Sequence, residues 1–231
     1  MKHEILLKTE NLRKVYRIGK KIEIHALKGV DLAIKRGEFV SIVGPSGCGK
    51  STLLYLMGGM ASPTAGRVIV DGIELSSADE NTRAQIRRKK IGFVFQMFNL
   101  FPTLTALGNL EIVMQIANEG ECDRDKALNF LELVGLRDKT RHKPLELSMG
   151  EQQRVAIARA LINEPNIILA DEPTGNLDSA NSNMIIELLR EVNTKLNQTI
   201  IMITHNLEAA YRADRQIYMK DGRVIHPSEL E

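Results

Sequence analysis

The stretch G-P-S-G-C-G-K-S at residues 44–51 decides how this chain is built. Before it, Phe39-Val40-Ser41-Ile42-Val43 is an apolar run short enough for a buried strand. After it, Ser51-Thr52-Leu53-Leu54-Tyr55-Leu56-Met57 continues as a helix. A strand, a glycine-rich loop and a Lys-Ser pair opening a helix form the phosphate-binding P-loop pattern. Gly44, Gly47 and Gly49, with Pro45, Ser46 and Cys48 between them, let successive backbone N–H groups turn inward toward phosphate oxygens. The helix start, reaching Thr52, adds the positive end of its dipole. Lys50 is placed to reach β- and γ-phosphates, and the Ser51 hydroxyl to sit on Mg²⁺. This reading outweighs a plain glycine-rich turn, and it predicts a nucleoside triphosphate site.

On the N-terminal side, Ile5-Leu6-Leu7, residues 14–17, Ile22-Glu23-Ile24 and residues 30–34 read as four short antiparallel strands. Tyr16 stands among them as a half-buried packing residue or as a face for a nucleobase. On the C-terminal side, Arg67-Val68-Ile69-Val70 is a strand ending in the tight turn Asp71-Gly72. A basic helix is expected over 79–90, then the strand Ile91-Gly92-Phe93-Val94-Phe95 ending at Gln96. Met97-Phe98-Asn99-Leu100-Phe101-Pro102 is unusually apolar for a loop: it either caps a local core or forms an exposed groove for a partner. Helices follow over about 105–118, around 127–134 and over 150–163. Residues 97–163 thus form an α-helical insertion between strands of a core made of 1–96 and 164–231.

Composition narrows the class. The chain of 231 residues fits one large domain. Its 31 basic and 29 acidic residues give a net charge of +2, which favours neither bulk nucleic-acid binding nor an acidic tail. The basic stretches 87–90 and 139–143 read as solvated faces. Cys48 and Cys122 have no C-x-x-C pairing, which suits a reducing compartment and offers no cysteine metal site. Met1-Lys2-His3-Glu4 leads into a strand rather than a signal peptide, and no run of about 18 apolar residues exists.

Ligands of open α/β sheets lie beyond the carboxyl ends of the strands. Besides the P-loop, three strand ends carry useful groups: Phe95 leads to Gln96, Ala170 to Asp171-Glu172, and Thr204 to His205. Asp171 after four apolar residues matches the Walker B carboxylate that holds Mg²⁺. Glu172 beside it is placed to orient a water and take its proton. Gln96 completes the Mg²⁺ shell or positions that water, and His205 donates to a γ-phosphate oxygen. Helix capping for the carboxylates and a satisfied loop histidine are the bland alternatives.

With these residues in order, the chain resembles the ATP-binding cassette (ABC) family of transporter ATPases. Leu147-Ser148-Met149-Gly150-Glu151, with the helix through Leu161, is similar to the signature motif; Asn176-Leu177-Asp178 is similar to the D-loop, and Tyr16 to the aromatic that stacks on adenine. The stretches 172–179 and 98–107 resemble the LolD/MacB/FtsE branch. The resemblance implies a P-loop core with a mixed sheet, an antiparallel β-subdomain and a helical signature subdomain. It implies an ATPase using ATP and Mg²⁺, active as a head-to-tail homodimer in which Ser148, Gly150 and Glu151 complete the site of the other copy. It also implies a transmembrane permease subunit docking near 97–102, a cytoplasmic place on the inner face of the membrane, and no direct contact with nucleic acid.

One position departs from the family pattern: Met149 stands where the signature usually has glycine. If that backbone needs a left-handed conformation, Met149 is strained by about 1–2 kcal/mol. If it needs only a small side chain, Met149 crowds the partner's nucleotide. Both keep open a scaffold with weak hydrolysis. DNA- or ribosome-directed relatives fit poorly, because only 50 residues separate Gln96 from Leu147 and the chain carries a single cassette.

Overall fold

The structure is a computed structural model describing residues 4–19 and 21–229; Met1 to His3, which open the expected N-terminal strand approach, lie outside the described residues. The chain begins with two 14-residue strands, β1 (Ile5–Ile18) and β2 (Ile22–Lys35), paired antiparallel. These replace the four short strands expected. The breaks in the pattern are absorbed as register shifts, one of them between Thr9 and Leu12 around Asn11, whose φ is 44°. A bulge bends and twists a strand without ending it.

Then come β3 (Phe39–Val43), α1 (Lys50–Met57), β4 (Ala65–Val70) and β5 (Ile73–Glu74). Helix α2 (Glu80–Lys90) starts at Asp79, whose carboxylate accepts from the Thr82 N–H at 2.8 Å. Its basic end is paired rather than simply solvated: Arg87 donates to the Gly59 carbonyl at 2.6 Å, and Lys90 pairs with Asp71. Strand β6 (Ile91–Phe95) precedes three helices, α3 (Ala106–Ala117), α4 (Arg124–Leu133) and α5 (Met149–Leu161). The chain closes with β7 (Ile167–Asp171), α6 (Ser179–Leu196), β8 (Thr199–Ile203), α7 (Leu207–Ala210), β9 (Arg215–Lys220) and β10 (Arg223–Ile225).

The strands form an antiparallel sheet ordered β2-β1-β4-β5 and a mixed sheet ordered β10-β9-β3-β8-β7-β6, in which only the β9–β10 pair is antiparallel. Every residue of β3, β7 and β8 is buried, which is why these strands read as unbroken apolar runs rather than alternations. Alternate side chains serve opposite faces. Ile201 and Ile203 join a core that includes Leu53 and Leu54 of α1 and Leu6 and Leu7 of β1, so α1 lies between the two sheets. Ile200 and Met202 face the other way, onto Ile185 and Leu189 of α6 and Ile157 and Leu161 of α5. A third core joins Leu110 and Met114 of α3, Leu131 of α4, and Val155 and Ala158 of α5. Helix α5 therefore contributes to both the sheet core and the helical core.

Candidate nucleotide-binding site

A cleft of about 670 Å³ opens over the carboxyl ends of the parallel strands, with the P-loop as its floor. Two requirements fix Gly49 there. Its φ is 105°, and a Cβ would lie 2.4 Å from the Ala26 carbonyl. Gly49 is also the N-cap of α1, and no side chain caps this helix. Its first N–H groups are thus left for a ligand, where they meet the positive end of the helix dipole. Lys50 is buried, and its ammonium donates to the carbonyls of Gly44 at 2.7 Å and Pro45 at 2.9 Å.

The P-loop is tied to parts of the chain that sequence reading did not assign to the site. The Gly222 N–H donates to the Cys48 carbonyl at 2.9 Å, and the Lys28 N–H to the Gly222 carbonyl at 2.8 Å. Lys28, Asp221, Gly222 and His25 all line the cleft. Asp221-Gly222 reads in the sequence only as a hairpin turn. What signal it carries is its place at the end of β9, and β9 lies beside β3 only once the sheet order is known. Tyr16 also lines the cleft, 41% exposed, with the Lys14 ammonium 5.0 Å from its ring centre.

At the end of β7 the two carboxylates part. Asp171 is buried and accepts from the Ser51 hydroxyl at 3.1 Å, so the two residues expected at one cation meet. Burial pushes the neighbouring Tyr55 phenol up, and the Asp171 charge adds to this, which keeps the phenol neutral. Glu172 has a left-handed φ of 48°, and its N–H donates to the Ile203 carbonyl at 3.0 Å. This turns its side chain into the cleft, where it lies 2.9 Å from His205 Nδ1 and accepts from the His205 N–H at 3.3 Å. Glu172 and His205 thus form a pair, 33 positions apart, that separate roles in the sequence did not suggest. Gln96 lines the same cleft but donates from Nε2 to Asn176 Oδ1 at 3.2 Å rather than joining Ser51 and Asp171.

Ser148, Gly150 and Glu151 are not among the residues lining this cleft. They build the start of α5 as a capping box: the Glu151 N–H donates to Ser148 Oγ at 3.2 Å, and the Ser148 N–H donates to Glu151 Oε2 at 2.8 Å. That backbone hydrogen bond chiefly holds the Glu151 carboxyl below its ordinary range, helped by the Ser148 side chain and the charges of Lys139 and Arg154. A Cβ on Gly150 would lie 2.2 Å from Asn181 Oδ1, so glycine here permits α5 to approach α6. Met149 is the first residue of α5 and is absent from the left-handed non-glycine residues. Of the two alternatives at Met149, backbone strain is therefore excluded: the helix start sets ordinary right-handed geometry, and the half-exposed side chain is what remains to act.

The 97–102 loop does part of both things expected of it. Leu100 packs on the helical core, while Met97 and Phe101 stay 72% and 46% exposed. Buried Asn109 holds the loop by accepting from the Phe101 N–H at 2.8 Å and donating to the Phe101 carbonyl at 3.2 Å. A groove of about 300 Å³ beside it is lined by Phe95, Phe101, Val113 and Ile116, with Arg87 and Arg88 at hand. Among the described residues no helix is long and apolar enough to cross a membrane.

Fold and cleft together define a P-loop nucleotide-binding domain with a helical arm. The family model for ABC transporters matches residues 27–175, and the chain belongs to that family. It is 48% identical over 230 residues to the "uncharacterized ABC transporter ATP-binding protein MJ0796" of Methanocaldococcus jannaschii, covering 97% of each chain. It is 47% identical to the lipoprotein-releasing system ATP-binding protein LolD 1 of Chlorobium chlorochromatii, covering 97% of this chain and 92% of that one. Among solved structures, a dimeric post-hydrolysis state of the ATP-binding cassette MJ0796 bound to ADP and Pi superposes with a TM-score of 0.88 at 46% identity, covering 96% of this chain and 97% of that one. The chain is an ABC ATPase, an ATP-binding subunit of the α/β cassette fold.

Proposed function

We propose that the cleft binds ATP with its adenine on Tyr16 and its phosphates on the α1 N-terminus and Lys50. The observation that carries this is the uncapped start of α1 opening beside the Ser51–Asp171 hydrogen bond. A hydroxyl and a carboxylate, with the Gln96 amide oxygen in the same cleft, are hard oxygen donors of the kind Mg²⁺ takes. Bound there, Mg²⁺ would supply charge neutralisation at the β- and γ-phosphates. Lys50, held by two loop carbonyls, exchanges one of them for a phosphate oxygen as the nucleotide enters.

Glu172 then serves as the base. Its carboxylate accepts a proton from water, the water oxygen bonds to the γ-phosphorus, and the bond from that phosphorus to the bridging oxygen breaks, releasing ADP and phosphate. A carboxylate only accepts, so His205 Nδ1 carries the proton in its pair with Glu172. For His205 to donate to a γ-phosphate oxygen, either the imidazole is doubly protonated or the pair separates. The histidine thus couples the charge of the base to that of the phosphate.

Ser148 and Gly150 lie outside their own chain's cleft, which fits their completing that of a second copy in a head-to-tail dimer with two sandwiched ATP molecules. A membrane permease subunit docks at 97–102 and the adjoining groove, on the inner face of a cell membrane, as in lipoprotein-releasing or export systems. Residues 97–163 form the signature subdomain. Glu172 in the cleft favours this transport ATPase over a scaffold with weak hydrolysis. Light scattering with ATP and Mg²⁺ tests the assembly. The Glu172→Gln chain is expected to shift from monomer to dimer, and Lys50→Ala to stay monomeric. A Glu172→Gln chain that binds ATP and remains monomeric would reject the shared site.

A further inference from the structure

We propose that the apolar face of the β1–β2 hairpin is a contact between copies, and that it receives Leu145 of a second copy when ATP closes the shared site. This rests on the reading of the cleft as an ATP site completed by Ser148 and Gly150 of another chain.

The ladder between β1 and β4 ends at the pair Arg13–Ala65. Beyond it β1 and β2 run on as a two-stranded ribbon, which is marginal in water unless something covers it. Tyr16 pairs with Ile24, Arg17 with Glu23 and Ile18 with Ile22. Side chains alternate between faces, so Tyr16, Ile18, Ile22 and Ile24 share one face. Arg17 and Glu23 take the other, where they form an ion pair at 2.9 Å. Tyr16 and Ile24 line the cleft, at the place proposed for the base. Ile18 and Ile22 are not among its lining residues; they carry the apolar strip past it and are 58% and 57% exposed. A nucleotide in the cleft therefore covers the first pair and leaves the second.

The other half of the shared site carries a matching group. Leu145 is 90% exposed, more than any other large apolar side chain among the described residues. It is nonetheless held firmly, in the 3-10 turn Pro144–Glu146 just before α5. Pro144 and Leu147 on either side of it are buried. The Glu146 carboxylate accepts from the Lys143 N–H at 2.6 Å, and the Leu147 N–H donates to the Pro144 carbonyl at 3.1 Å. These bonds fix a turn whose one apolar side chain points into solvent. Leu145 precedes Ser148 by three residues, so their Cα atoms lie within about 11 Å of each other. With Ser148 at the γ-phosphate of a second copy, Leu145 is in reach of the base end of that cleft, where the strip emerges. A preformed knob on a preformed strip costs little ordering, and a two-fold axis makes the contact twice. Because Arg17 and Glu23 face away, the contact is apolar and salt should weaken it little.

Dimerisation of the Glu172→Gln chain with ATP and Mg²⁺, followed by analytical ultracentrifugation, tests this. Leu145→Ser, and the paired change Ile18→Ser with Ile22→Ser, are each expected to raise the dimer dissociation constant about tenfold or more. Combined, they should weaken the dimer little further than either alone, at low and high salt, since both remove one contact. Monomer ATP affinity should stay within about twofold, because none of the three side chains lines the cleft. Leu145→Ser leaves the hairpin intact, so it decides the matter if serine in the ribbon disturbs Tyr16. Additive losses, or an undiminished dimer in Leu145→Ser, overturn the contact. A hairpin variant that dimerises normally but no longer sediments with phosphatidylglycerol vesicles, where the parent does, makes the strip a lipid contact and also overturns it. Failures of the parent chain are separate: one that binds no ATP overturns the ATP-site reading, and one that binds ATP without dimerising overturns the shared site.

Discussion

Two helix starts in this molecule are built on opposite plans. Helix α1 begins at a left-handed glycine with no capping side chain, so its leading N–H groups face the cleft unclaimed. Helix α5 begins with a reciprocal box in which Ser148 and Glu151 spend their side chains on each other's backbone N–H groups. On the proposed reading, the first plan leaves an anion site that works within one chain. The second stabilises its own helix and leaves fewer donors, which suits a supporting contact to a phosphate already held elsewhere. The difference teaches that a helix start can be left open for a ligand or closed by its own side chains within one fold.

Changes on each side should therefore differ in kind and size. The largest effect belongs to the α1 cleft: Glu172→Gln should lower steady-state hydrolysis by about 10²–10⁴-fold while sparing ATP binding. A variant that still turns over would move the base elsewhere. At α5, Gly150→Ala should destabilise by about 1–3 kcal/mol, since the new Cβ presses on Asn181, itself bonded to Asp178 at 2.9 Å. Ser148→Ala should cost about 1 kcal/mol by losing the cap, read as a lower denaturation midpoint. If stability is unchanged and only ATP-driven dimerisation falls, the cap is functional rather than structural.

Met149→Gly separates the two roles further. It should raise hydrolysis by removing a half-exposed side chain from the face proposed to meet the second copy, while lowering stability by about 0.5–1 kcal/mol. An unchanged or lower rate would count against crowding. The smallest effect concerns acid. The folded pKa of Glu151 lies below its ordinary 4.5, so its contribution is present above that value and is lost as pH falls through the depressed one. Glu151→Gln should flatten this part of the acid limb in unfolding measurements below about pH 4.5.

Much of the fold was legible because its signals are local. The buried runs of β3, β7 and β8 announce themselves, since a strand covered on both faces has no polar face to show. The hairpin of β1 and β2 was not read as such, because punctuation that ends a strand elsewhere is here absorbed as register shifts. In the site, Ser51 and Asp171 were expected at one point and meet. The Glu172–His205 pair, Gln96 turned to Asn176, and the ties from Cys48 to Gly222 could not be foreseen. Each depends on which strands or loops become neighbours, and sequence separation is silent about that.

The amino-acid sequence by itself determined the family, and it pointed to the glycine-rich loop, the carboxylates after β7 and the helices between β6 and β7. These follow from residue type and spacing within a few turns of chain. The tertiary structure alone decided that Met149 sits in an unstrained helix start, that Ser148 and Gly150 stand apart from their own chain's cleft, and that α5 is held between two cores. The physical reason is that backbone torsion at a helix start and packing across 50 to 100 positions are set by the partners that the fold brings together.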